Sequence, residues 1–156
     1  DFSINTLPEL IENSQFFCER IGSIDSTSLA TAVTRVPKSV DLLLKMDIEG
    51  SEYESLDLDL HYLERFQCLI IEFHDIESRI DEFLTITKNI KRDFILINTH
   101  INNFDPIINQ LPTVIELCFI QSSLVPDQQL YSAPKIPSVY DFPNNMYKDE
   151  ITYEYQ

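Results

Sequence analysis

Five runs of the chain carry the apolar and polar spacing of β-strands: residues 16 to 20 (FFCER), 40 to 48 (VDLLLKMDI), 68 to 74 (CLIIEFH), 94 to 101 (FILINTHI) and 113 to 120 (TVIELCFI). Between the third and fourth, Ile76, Ile80, Phe83, Leu84, Thr87 and Ile90 recur at helical spacing, which predicts an amphipathic helix over DIESRIDEFLTITKNIK. Leu56, Leu60 and Leu63 mark a second helix after Gly50. Runs such as LLLKM and LIIEF are apolar on both faces, as in central parallel strands covered by helices on each side. The class expected is α/β, with an open, doubly wound sheet. Only NNFDPIINQLP joins the last two strands, too little for a helical crossover, so the final strand is expected to run antiparallel. Residues 1–120 are read as one α/β domain. Residues 121–156, rich in Pro, Ser, Asp and Asn, are read as a tail packed on it.

Composition narrows the function classes. A chain of 156 residues with 44% hydrophobic content buries one core. Acidic residues outnumber basic ones 26 to 11, so the surface repels nucleic acid and anionic lipid headgroups, and neither is expected as a partner. No apolar run reaches the ~20 residues of a membrane span, and DFSINTLPEL lacks the features of a signal peptide. The chain begins without methionine, as a mature or truncated product would. Cys18, Cys68 and Cys118 lie in apolar or aromatic settings with no C-x-x-C pair. They read as reduced core thiols, which points to the cytoplasm.

Carboxylates and imidazoles collect where strands end. In open α/β sheets ligands sit beyond the carboxyl ends of the strands. Here the second strand ends on Asp47 and Glu49, the third on Glu72 and His74, and the fourth on His100, Asn102 and Asn103. Alternation puts Asp47 with Lys45 on one side of the sheet, and Glu72 with His74. Such a carboxylate and imidazole set suits acid and base chemistry. Asp47 and Glu49 also suit the capping of a helix beginning near Ser51. Glu52 and Glu54 read as a solvated first helical turn. Asp47, Glu72, His74 and His100 together have the donor types of a divalent metal site; with no H-x-H or H-E-x-x-H spacing present, a metal-site protein is kept only as the weaker alternative.

KMDIEGSEYESL, followed by CLIIEFH, resembles the FkbM-like methyltransferases, a branch of the class I methyltransferase fold that uses S-adenosylmethionine. THINN, LPTVIELCFI and IPSVYDFPNN are similar to that branch's His-x-Asn-Asn, Pro-x-x-x-Glu and Asp-x-Pro-Asn segments, and DFSINTLPELIENSQFFCERIGS to its stretch after the second strand. The resemblance implies a sheet ordered 3-2-1-4-5-7-6 with an antiparallel seventh strand, FFCER being strand three and the later runs strands four to seven. It assigns Asp47, Glu72, His74 and His100 to catalysis. Asp1, Ile24, Asp25 and Asp47 fall to the cofactor, and Glu49, Asn102 and Asn103 to the substrate. Strands one and two and the glycine-rich cofactor loop are missing, since Gly22 and Gly50 are the only glycines. The expectation is the C-terminal part of an O-methyltransferase acting on a saccharide or small metabolite, inactive alone and weak or silent toward S-adenosylmethionine. A catalytically incompetent relic or interaction module is the alternative. Strand four, stripped of a neighbour, is the expected edge for self-association.

Overall fold

The computed structural model describes residues 15–22, 26–125 and 135–153. Four strands form the main sheet: β1 (Leu42–Met46), β2 (Phe66–Phe73), β3 (Phe94–Ile101) and β6 (Ile115–Gln121), in the order β1-β2-β6-β3. β1 pairs parallel to β2, whereas β6 runs antiparallel to both β2 and β3. The antiparallel last strand was legible in its short connection. That connection itself holds a hairpin of β4 (Ile107–Ile108) and β5 (Leu111–Pro112). Asn109 and Gln110 at its tip have φ of 51° and 67°, the pair of left-handed residues that a two-residue turn matching strand twist requires.

Burial alternates along β2. Leu69, Ile71 and Phe73 are fully buried, while Cys68, Ile70 and Glu72 are half-buried on the opposite face. The buried face carries the core. Helix α1 (Leu29–Thr34) contributes Leu29 and Val33, α2 (Glu52–Asp59) contributes Tyr53 and Leu56, and α3 (Ile80–Ile90) contributes Ile86 and Ile90. The apolar runs had suggested helices on both faces. Among the described residues the three α-helices share one core on one face, so each strand needs apolar groups only at alternate positions for it.

Two local expectations are corrected. FFCER is not a strand: residues 15–20 have no ladder, and only Ile21 bridges, to Thr27. A strand is defined by a neighbour as much as by its own pattern, and here Phe16 and Phe17 stay exposed. The segment is held by side chains instead. Glu19 pairs with Arg35 at 2.7 Å and accepts a hydrogen bond from Thr27, and Arg35 lies over the Phe17 ring. The second correction shortens the helix predicted over residues 75–91 to Ile80–Ile90. Asp75 sits at φ 54° and the Ile76 N–H donates to the Thr113 carbonyl, so the chain is turning here before the helix begins.

The described tail is fastened by Asn103, which is buried at the end of β3. Its amide donates to the carbonyls of Asn145, Lys148 and Asp149 and accepts from the Asn145 N–H. Asn98 adds a bond to Asp141.

Candidate functional site

β1 ends in a turn that places two residues in left-handed conformation, Glu49 at φ 54° and Gly50 at φ 95°. Glycine is required at the second: besides its φ, a β-carbon there would meet Asp75 Oδ2 at 3.2 Å. The turn folds Glu52 back under its own helix. Glu52 is fully buried and accepts from the Ile48 and Gly50 N–H groups, each at 3.0 Å. The expectation of a solvated Glu52 is therefore wrong. Backbone N–H groups of the turn that precedes α2 supply the donors that make burial of a carboxylate tolerable. Glu54, on the same turn, is half-exposed and pairs with Arg79.

Glu52 also holds His74, whose Nδ1 lies 3.1 Å from Glu52 Oε1. The backbone carbonyl of His74 accepts from the Tyr53 hydroxyl at 2.6 Å. Burial, and then the charge of Glu52, push that phenol well above its ordinary range, so it remains a donor. The other imidazole nitrogen, Nε2, faces Glu49 at 3.5 Å, Glu72 at 3.8 Å and Asp47 at 3.9 Å. One ligand atom from each of Asp47, Glu72 and His74 falls within 4.8 Å of the others.

A row of polar groups continues across the half-exposed sheet face. Glu72 stands opposite Glu116 on β6, and Glu116 opposite His100 on β3. Lys45 reaches over this row, 2.6 Å from Glu116 and 3.8 Å from Glu72, and Asn102 donates to Glu72 at 3.1 Å. Below it, Cys68 and Cys118 occupy the same face. Burial, with the neighbouring Cys68 thiol, pushes the Cys118 thiol up to about 12.

At the end of β1 a cleft of about 640 Å³ opens between residues 16–21 and residues 47–49 with Ser51. It has the size of a small-molecule site. Asp47 and Glu49 line it, as does Arg20.

The description "Methyltransferase FkbM domain" matches residues 22–122, the greater part of the chain and the whole four-stranded sheet. The chain belongs to the FkbM methyltransferase family. No curated protein and no solved structure matches it.

Within this FkbM domain, the residues singled out from the sequence divide into three groups. Asp47, Glu49, Glu72 and His74 come together, with Asn102 at their edge. His100 and Asn103 turn to the tail: His100 Nε2 lies 3.6 Å from Glu150, and Asn103 is the tail's clamp. Asp1, Ile24 and Asp25 lie outside the described residues. Sequence reasoning missed Glu116 as the partner of Lys45, and it missed Glu52. The signal for Glu52 was available, since Gly50 forces a turn that aims the next residues inward. Of the three thiols, all free, Cys18 is exposed and not the core residue expected. No described helix is long and apolar enough to cross a membrane.

Proposed function

We infer that this domain serves S-adenosylmethionine-dependent methyl transfer to an oxygen of a saccharide or small metabolite. The observation that carries this reading is the double position of Asp47. It lines the cleft beside residues 16–21, and it also stands 3.9 Å from His74 Nε2, so a donor-sized space meets an acid/base cluster. The lining suits the donor: Asp47 and Glu49 complement its sulfonium and ammonium charges, and Arg20 its carboxylate. S-adenosylmethionine, when bound, supplies an electrophilic methyl group on a positively charged sulfur.

The chain's own residues then have distinct tasks. Glu52 fixes the imidazole of His74, and Asn102 and Lys45 hold Glu72. Glu72 or His74 takes the proton of the attacking hydroxyl, and alignment supplies much of the remaining effect. With only two glycines the sequence has no glycine-rich loop to bring backbone amides close to the donor's carboxylate, so affinity for the free donor is weak.

The test is an amide-shift titration of the chain with S-adenosylmethionine. Millimolar binding with shifts concentrated at residues 16–21 and 47–51 supports the reading. Shifts centred elsewhere, or none at millimolar donor, overturn it.

A further inference from the structure

The sequence lacks a compact metal-binding motif, yet the fold assembles one from two strand ends. Asp47 follows β1, Glu72 lies near the end of β2 and His74 just beyond it. We propose that Asp47, Glu72 and His74 bind one divalent cation of the first transition row, with His74 ligating through Nε2.

The first argument is separation. Nε2 stands 3.9 Å from Asp47 Oδ1 and 3.8 Å from Glu72 Oε1. An ion with bonds of about 2.1 Å spans ligand atoms up to ~4.2 Å apart, and the three atoms lie within 4.8 Å of one another, so small side-chain shifts close the set around it without a change of fold. The second is orientation, and it comes from a residue outside the three. Glu52, buried and holding two backbone N–H groups, accepts the Nδ1 proton of His74. That bond assigns the tautomer and turns an Nε2 lone pair toward Glu49, Glu72 and Asp47. Nε2, facing three carboxylates, is a position for a cation, either a proton or a metal ion that displaces it. A carboxylate behind an imidazole whose far nitrogen ligates is the usual support of a metal-bound histidine. Glu72 has support of its own kind, since Asn102 donates to the same Oε1 that faces His74.

Donor chemistry selects the ion. One imidazole nitrogen with carboxylate oxygens suits manganese, iron or zinc better than calcium or magnesium, which take oxygen alone. Glu49 Oε2, 3.5 Å from Nε2 and highly exposed, can move to a fourth position and leave others open. An acceptor hydroxyl bound there would lose its proton more readily, to solvent water in place of Glu72 or His74, whose lone pairs the ion would occupy; this favours oxygen-rich acceptors such as vicinal diols. That role rests on the methyl-transfer reading; the binding of the ion does not.

The experiment titrates the chelator-treated chain with manganous chloride, followed by the electron-spin-resonance signal of free Mn²⁺, without S-adenosylmethionine. One saturable site is expected. Asp47→Asn, at a half-exposed side chain, weakens it by at least the ~10- to 100-fold that loss of a supporting group costs. Glu72→Gln does the same, and Asp81→Asn in the first turn of α3 leaves it unchanged. Should Glu72→Gln lower the folded population, paramagnetic broadening of the His74 ring signals in the unsubstituted chain gives the location without it. No saturable binding, equal loss with Asp81→Asn, or broadening remote from His74 overturns the proposal. Manganese binding with no donor-induced shifts would sink only the transferase reading; the converse would sink only the cation.

Discussion

Glu52 and Glu54 occupy one helical turn and do opposite work. Glu52 is enclosed, with three donors on its carboxylate, whereas Glu54, itself half-exposed, shares Arg79 with the half-exposed Glu82. Removing a buried charged partner strands the groups that faced it, at about 3–5 kcal/mol, while an exposed pair contributes about 1 kcal/mol or less. Urea unfolding of Glu52→Ala and Glu54→Ala should show that contrast; similar losses would mean Glu52 is not buried as described. The cysteines give a second residue-scale expectation. With its thiol raised to about 12, Cys118 has little thiolate near neutral pH, and Cys18 is exposed. Mild alkylation followed by peptide mass analysis should modify Cys18 well before Cys118.

Between elements, Arg79 is the main polar tie of α2 to α3. It lies over the Tyr53 ring, donates to the Gly50 carbonyl and meets Glu54 and Glu82. The hydrogen bond from Arg79 holds the Glu82 carboxyl below its ordinary value of 4.5. A lowered carboxyl contributes stability above its unfolded value and loses it as pH falls through the folded one. Acidification should therefore cost the unsubstituted chain more of its urea midpoint than it costs Arg79→Ala, and equal losses would remove the assignment. Much at this scale was legible in the sequence. FILINTHI became β3 residue for residue, and the short NNFDPIINQLP link predicted the antiparallel β6, because hydrophobic period and connection length act locally. FFCER failed because strand identity depends on a partner that its own residues do not name. At the candidate site, sequence reading collected Asp47, Glu72 and His74 from strand ends. It could not show that His100 faces the tail, since that depends on where Glu150 returns.

For the molecule as a whole, the Asn103 amide is a main fastening of the returning tail, beside the Asn98–Asp141 bond. Asn103 satisfies four backbone groups between residues 145 and 149, so Asn103→Ala leaves several polar groups to find water. A local cost of about 1–3 kcal/mol follows, borne by the tail rather than by the sheet. Limited proteolysis should then cut faster within residues 139–147, where Val139, Tyr140, Phe142, Met146 and Tyr147 are already exposed, while β2 keeps its hydrogen-exchange protection. Unchanged cutting would show that the tail is held elsewhere. The cleft beside Asp47 has walls of unequal stiffness. Its β1 side is anchored through buried Glu52, but residues 16–21 depend on Glu19 and Arg35, both substantially solvated. Mobile electrolyte weakens exposed ion pairs far more than buried ones. Added sodium chloride should loosen residues 16–21 and leave the other wall fixed, so a ligand spanning both would dissociate faster in brine even if it carried no net charge.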